Sequence, residues 1–153
     1  MPEKKKILIP EKLDDEAIAF LGIHDEVDAI ILDKPSKSEL LDKIHNVDAL
    51  IVRSKTKVDA EMLSRAKKLK VIARAGVGTD NIDVAVAEKQ GILVVNAPEE
   101  SLDSVADLTF SLILAICRKI NLAISRTKSG DFNRSDLVGY ELNGKTLGII
   151  PSY

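Results

Sequence analysis

Tryptophan is absent from this sequence, aromatic residues make up 3% of it, and it has one cysteine. Each scarcity excludes something. With few aromatic platforms there is little on which unpaired bases could stack, and a net charge of −2 gives no broad attraction to a phosphate backbone, so nucleic-acid binding is disfavoured. The lone Cys117 has no partner for a disulfide and reads as a small buried hydrophobe in an apolar helix, the usage of a reducing compartment. Long apolar runs are missing too. The apolar run after the basic N-terminus stops at Glu11, too early for a signal peptide, and the longest apolar stretch, Leu108 to Cys117, is about half a membrane span. The expectation is a cytoplasmic protein with no membrane partner. His24 and His45 have no carboxylate or cysteine at ligand spacing, so no metal site is expected.

What is present is the composition of a folded domain, 45% hydrophobic and 30% charged. Short β-branched runs alternate with amphipathic segments, which predicts an α/β fold, a parallel five-stranded sheet with helices on both faces. Strands are expected at Lys6–Ile9, Ala29–Leu32, Ala49–Val52, Val71–Ala73 and Leu93–Val95, and helices at Asp14–Leu21, Lys37–His45, Ala60–Lys68 and Asp83–Gln90. Ser36 with Glu39 forms a capping box, Asp80 with Asp83 a weaker one, and Gly91 supplies a left-handed stop.

After the fifth strand the pattern changes. Residues Leu102 to Lys128 read as one helix, roughly 40 Å long at about 1.5 Å per residue. Its first half is apolar on nearly every face, from Val105 through Leu108, Phe110 and Leu112 to Ile116. Such a helix must be covered all round, and a small five-stranded domain covers one side, so a partner is implied. A polar loop follows at 131–136, then an apolar strand, Thr146–Ile150, that stops at Pro151 where a glycine loop would be expected. The chain therefore divides into a ligand-binding domain at 1–100, a dimerisation-type helix at 101–130, and a loop with an orphan strand at 131–153. That strand is expected to stay out of the domain's sheet, disordered or docked on a neighbouring chain.

Ligands of open α/β sheets bind at the C-terminal ends of strands, and two such ends stand out here. Strand three runs into Arg53-Ser54-Lys55-Thr56 and strand four into Arg74-Ala75-Gly76-Val77-Gly78-Thr79-Asp80-Asn81. Gly76 and Gly78 permit backbone angles that turn successive N–H groups near Val77 toward one anion. Arg53 and Arg74 add planar donors for a carboxylate or phosphate. A small anionic ligand is the expectation. A phosphoreceiver of similar topology is excluded, because Arg53-Ser54 and Asn96-Ala97-Pro98 stand where it needs an aspartate and a lysine.

These blocks, with Gly91-Ile92-Leu93-Val94-Val95-Asn96-Ala97-Pro98, Ser104-Val105-Ala106-Asp107 and Leu142-Asn143-Gly144-Lys145-Thr146-Leu147-Gly148-Ile149-Ile150, resemble the NAD-dependent D-2-hydroxyacid dehydrogenases from about Lys5 to Ile150. The resemblance implies a flavodoxin-like substrate domain, followed by the helix through which family members usually dimerise. It implies that Gly76 and the amides of Val77 and Gly78 hold the substrate carboxylate of a small 2-hydroxy or 2-oxo acid, with Arg53, Ser54 and Arg74 facing its distal acid group. Ser101 stands where many members have a substrate-touching Asn, and Asp107 where Glu is usual. Ser104 and Val105 would lie beside the nicotinamide of a complete enzyme. The family's catalytic Arg, Glu and His lie beyond the glycine loop, so no catalytic residue is expected here. The span is expected to be truncated before the dinucleotide site, to bind no NAD and to be inactive alone. The alternative is a non-catalytic interaction module that pairs through its apolar helix.

Overall fold

The structure is a computed structural model and describes residues 3–150. Its backbone is set by five short apolar strands, β1 (Lys5–Ile9), β2 (Val27–Ile31), β3 (Ala49–Val52), β4 (Val71–Arg74) and β5 (Leu93–Asn96). All pairings are parallel, in the order β2-β1-β3-β4-β5. Four helices connect them: α1 (Asp15–Gly22), α2 (Lys37–Lys43), α3 (Ala60–Arg65) and α4 (Val84–Lys89). Because the chain steps from β1 to β2 one way and then crosses back through β3, β4 and β5, right-handed connections put α2, α3 and α4 on one face and α1 on the other. The five strands and four helices expected for this sheet are present, each displaced at its ends by a few residues at most.

Register brings Ile30, Leu8, Leu50, Ile72 and Val94 into one row across the sheet. This row packs against Leu40, Leu41, Met62, Leu63, Ala66 and Ala87 of the covering layer, in one hydrophobic cluster. Helix starts are fixed by side-chain caps on exposed N–H groups. Ser36 Oγ accepts from Glu39 N–H at 3.2 Å, as the capping box predicts. For α4 the cap is Asp83, whose carboxylate accepts from Val86 N–H at 3.2 Å, so the expected pairing from Asp80 is corrected by one turn. Gly91 has φ of 72°, the left-handed stop expected after α4.

The chain divides into two compact units, Met1–Ser101 and Leu102–Tyr153. In the second unit the expected single helix is two: α5 (Leu102–Cys117) and α6 (Ile120–Lys128), bent by 67°. The physical reason lies at Lys119, which adopts φ of 53°, and at the Cys117 carbonyl. In a continuous helix that carbonyl would accept from Asn121 N–H; here it accepts from Tyr140 N–H at 2.8 Å. The close approach needs Gly139, since a Cβ there would lie 2.2 Å from the same oxygen. Lys119 Nζ donates to the Asp136 carbonyl at 2.9 Å, and Arg126 pairs with Asp136 through its guanidinium. Residues 146–150 form no strand and belong to no sheet; Pro151, where a glycine loop was expected, lies outside the described residues.

No single helix among the described residues is long and apolar enough to cross a membrane; α5 and α6 meet that test only together, across their bend. The half-buried Cys117 is unpaired.

Candidate functional site

The loops at the C-terminal ends of β1, β3 and β4 are knitted together by side chains of specific chemistry. Glu11, just beyond β1, reaches the loop after β3. Its Oε1 accepts from Thr56 N–H at 2.8 Å and Arg53 N–H at 3.1 Å, and its Oε2 accepts from Lys55 N–H at 3.1 Å. Burial works against the charged form of Glu11, but the donors from Thr56, Lys55 and Arg53 outweigh it and hold the carboxyl below the ordinary glutamate range. From the other side Asn81, in the loop after β4, donates through Nδ2 to the Thr56 carbonyl at 2.7 Å and the Arg53 carbonyl at 2.8 Å. A flipped amide would set its oxygen against two carbonyls, so this orientation is chemically determined. The loop's N–H groups thus face an acid and its carbonyls an amide.

Arg53 and Ser54 are exposed on that loop. The Arg53 guanidinium donates to the Lys12 carbonyl at 3.3 Å and lines a shallow cavity of about 240 Å³ with Lys12, Leu13, Asp14 and Asp15. The guanidinium is thus engaged with the loop after β1.

At the end of β4 the chain turns sharply. Gly76 N–H bonds back to the Arg74 carbonyl at 2.9 Å, and Ala97 N–H donates to the Gly76 carbonyl at 3.0 Å. Gly76 has φ of 145°, and a Cβ there would sit 1.5 Å from an Arg74 guanidinium nitrogen, so Arg74 folds over a surface that only glycine leaves open. Arg74 Nε is buried with no hydrogen-bond partner. The turn is pinned by Asn96 Nδ2, which donates to the Val77 carbonyl at 2.6 Å. Val77 and Gly78 are exposed, and among the described residues no oxygen accepts from either N–H. The Asp80 carboxylate lies against Gly78, at 2.8 Å from where a Cβ would be.

The structure therefore brings Arg74, Gly76, Val77 and Gly78 together at one turn and sets Arg53 and Ser54 on the neighbouring loop. Ser101, half-buried, closes the first unit, whereas Ser104 and Val105 stand exposed in the first turn of α5 in the second. Glu11 and Asn81 were missed by sequence reasoning. The signal for Asn81 was its place inside the β4 loop, and for Glu11 its place immediately after a strand.

A family profile for the D-isomer specific 2-hydroxyacid dehydrogenase catalytic domain matches residues 7–144. The chain belongs to the D-2-hydroxyacid dehydrogenase family. It is 49% identical over 145 residues to the D-3-phosphoglycerate dehydrogenase of Methanocaldococcus jannaschii, covering 95% of this chain and 27% of that protein. It is 43% identical to the hydroxypyruvate reductase of Thermotoga maritima, covering 95% of this chain and 47% of that one. Among solved structures, the D-lactate dehydrogenase of Aquifex aeolicus, complexed with NAD and lactic acid, superposes with a TM-score of 0.79 at 27% identity, covering 90% of this chain and 41% of that one. The chain thus spans from about a quarter to under half the length of these relatives.

Among the described residues, Gly144-Lys145-Thr146-Leu147-Gly148-Ile149-Ile150 forms no strand, and Ser104 and Val105 offer one hydroxyl and one apolar surface. No cluster of His, Cys, Asp or Glu suited to a metal ion occurs among the described residues. His24 packs its ring edge-on against Phe20 at 5.2 Å, and His45 is exposed.

Proposed function

We propose that this chain is the substrate-binding part of an NAD-dependent D-2-hydroxyacid dehydrogenase of the phosphoglycerate dehydrogenase type, which holds a small anionic 2-hydroxy or 2-oxo acid for hydride exchange with the nicotinamide. The observation that carries the reading is the β4 turn. It presents the free N–H groups of Val77 and Gly78 beside an arginine whose Nε is buried without a partner. A carboxylate accepting those N–H groups satisfies donors that otherwise face solvent, and an ionised acceptor makes such bonds shorter and stronger. Arg74, and Arg53 with Ser54 on the next loop, would face a second acidic group, which favours a dianion such as 3-phosphoglycerate. Ser101 would border the same ligand, and Ser104 with Val105 would meet the nicotinamide only in a complete enzyme. The resemblance to the family assigns the proton-transferring histidine, its orienting glutamate and the catalytic arginine to positions with no counterpart in this span. The chain alone is therefore proposed to bind no NAD and to turn over no substrate.

Titration calorimetry with D-3-phosphoglycerate and with D-lactate tests the anion site. Saturable binding of the dianion, weakened by Arg74→Ala, is expected; equal affinity of the variant would remove the site. NADH fluorescence tests the rest, and saturable binding at micromolar cofactor would contradict it.

One further observation favours the alternative reading, an interaction module. In α5, Leu102, Val105, Leu108, Phe110, Leu112 and Ile116 are all exposed. An apolar helix open to water calls for a second copy or a related chain, as dimerisation through this segment would supply. Light scattering at micromolar protein that returned a strict monomer would end that reading.

A further inference from the structure

The loop after β3 carries two of the proposed ligand-facing residues, yet from Arg53 to Lys57 it has no regular structure and, apart from the buried Thr56, is exposed. An exposed loop of this kind is ordinarily mobile, and a mobile arginine is a poor clamp for a ligand, because ordering it on binding costs free energy. Three of the loop's N–H groups converge on one carboxylate, that of Glu11, from a different strand end. The same carbonyls that would otherwise float are held by Asn81 from the third strand end. The loop is thus fixed from both sides by side chains that do not themselves face the proposed ligand.

We propose that Glu11 is a positioning residue for the anion site: by accepting from Arg53, Lys55 and Thr56 it fixes the main chain from which Arg53 and Ser54 are presented to the distal acidic group of the substrate. The assignment rests on the substrate-binding reading given above and deepens it. Three features of the geometry support it. The carboxylate is the one group type that offers acceptors to three N–H donors without bringing a donor of its own. Bonds to an ionised acceptor are stronger than neutral ones, so the loop is held by charge as well as by number. Glu11 also precedes Lys12, whose carbonyl receives the Arg53 guanidinium, so one short segment sets both the main chain and the side chain of Arg53. Asn81 serves the opposite face of the loop in the same sense.

Glu11→Gln separates positioning from bulk. A glutamine keeps one oxygen for Thr56 and Arg53 but turns an NH₂ donor against the Lys55 N–H. Glu11→Asp keeps the charge with a shorter reach. In ¹H–¹⁵N spectra of the 153-residue chain, Glu11→Gln is expected to move the amide signals of Arg53, Lys55 and Thr56 while those of Leu50 and Ile72 stay in place, which shows that the variant is folded. With D-3-phosphoglycerate as the probe, followed at the Arg53 and Arg74 Nε–H signals, affinity is expected to fall about tenfold in Glu11→Gln, the size of one lost charge-assisted contact. The Arg53 response should be lost first, with the Arg74 response persisting, and Glu11→Asp should recover part of the affinity. Wild-type binding that Glu11→Gln leaves unchanged overturns the positioning role and spares the substrate site. A wild-type chain in which neither arginine responds to the probe overturns the substrate site and the positioning role together.

Discussion

On one face of the sheet Leu8, Leu50 and Ile72 lie beneath α2, α3 and α4 and are fully buried. One residue to either side on the same strands, the opposite face carries Ile7, Ile9, Ile51, Val71, Leu93 and Val95; Ile9 at its centre is buried, but toward the β5 edge Leu93 is 61% exposed and Val95 39%. Both rows are aliphatic and both belong to parallel strands, which are ordinarily covered on each side. The difference lies in the cover: α1 contributes no buried residue, whereas α2, α3 and α4 each contribute at least one. Stability is therefore concentrated on one side of the sheet, and the strand ends that bear the site are anchored from that side. The sharpest test is a pair of truncations on adjacent strands. Ile72→Ala is expected to cost about 3 kcal/mol, because it removes a fully buried side chain and leaves a cavity. Leu93→Ala, on the open face, is expected to cost less than about 1 kcal/mol. Urea denaturation of both variants measures the difference, and equal losses would mean that the open face is covered in solution.

The next effect in size falls at the strand end between those faces. Gly76→Ala sets a Cβ into the Arg74 guanidinium, which can swing aside, but it also forces a φ near 145° that alanine resists. A loss of about 2 kcal/mol is expected, as for other backbone positions held in sparsely populated conformations. Gly78→Ala meets only the flexible Asp80 carboxylate and has no left-handed φ, so its cost should be smaller. Thermal unfolding of the two variants ranks them; a reversed order would show that the Asp80 contact, not the Gly76 turn, fixes this loop.

Much of this was legible in the sequence, and the exceptions share a physical cause. Strand and helix positions followed from local periodicity, and Ser36, Gly91 and the Gly76-Val77-Gly78 turn announced themselves through residue type. The break between α5 and α6 did not, because no glycine or proline stands between Cys117 and Ile120. Its cause is the Tyr140 N–H on the Cys117 carbonyl, a partner 23 residues away in sequence (140 − 117), made reachable by Gly139. Glu11 was missed for the same reason: its place after a strand is a weak local signal, and its three partners lie more than 40 residues downstream. The direction of the Arg53 guanidinium depends on Lys12, another long-range contact. Alternation reveals which residues go inward; it does not reveal which loop a polar side chain will reach.

The helix caps extend the comparison of faces at smaller amplitude. Ser36 caps α2, which buries Leu40 and Leu41, so Ser36→Ala is expected to cost about 1 kcal/mol of global stability. Asp14 caps α1, which has no fully buried residue, through a longer bond of 3.3 Å to Glu16 N–H. Asp14→Ala should leave the global transition in place and speed amide exchange within α1 alone, since a helix without buried contacts frays without unfolding the core. Hydrogen exchange read beside urea denaturation distinguishes the two; a global loss from Asp14→Ala would show that α1 is packed more tightly than its exposure indicates.

The smallest effect is a pH dependence to which the strand ends contribute through Glu11. The folded chain holds Glu11 below its ordinary range, so the unfolded chain binds this proton more readily. Stability contributed by Glu11 is therefore complete above the unfolded glutamate value and is lost as pH falls through the lower, folded value. Asp59 shifts in the same direction, through Met62 N–H and then Lys37, and Asp136 through Arg126 and then Ser135, so acid destabilisation of the wild type sums several groups. Subtracting Glu11→Gln isolates one of them: the gap in unfolding midpoint between wild type and variant should be constant near neutrality and close progressively in acid. The amides of Arg53, Lys55 and Thr56 should titrate with that same closing, because all three donate to the one carboxylate. Three separate midpoints would mean that the loop is held by independent contacts, and the open and covered faces would then differ in packing without differing in how they support the site.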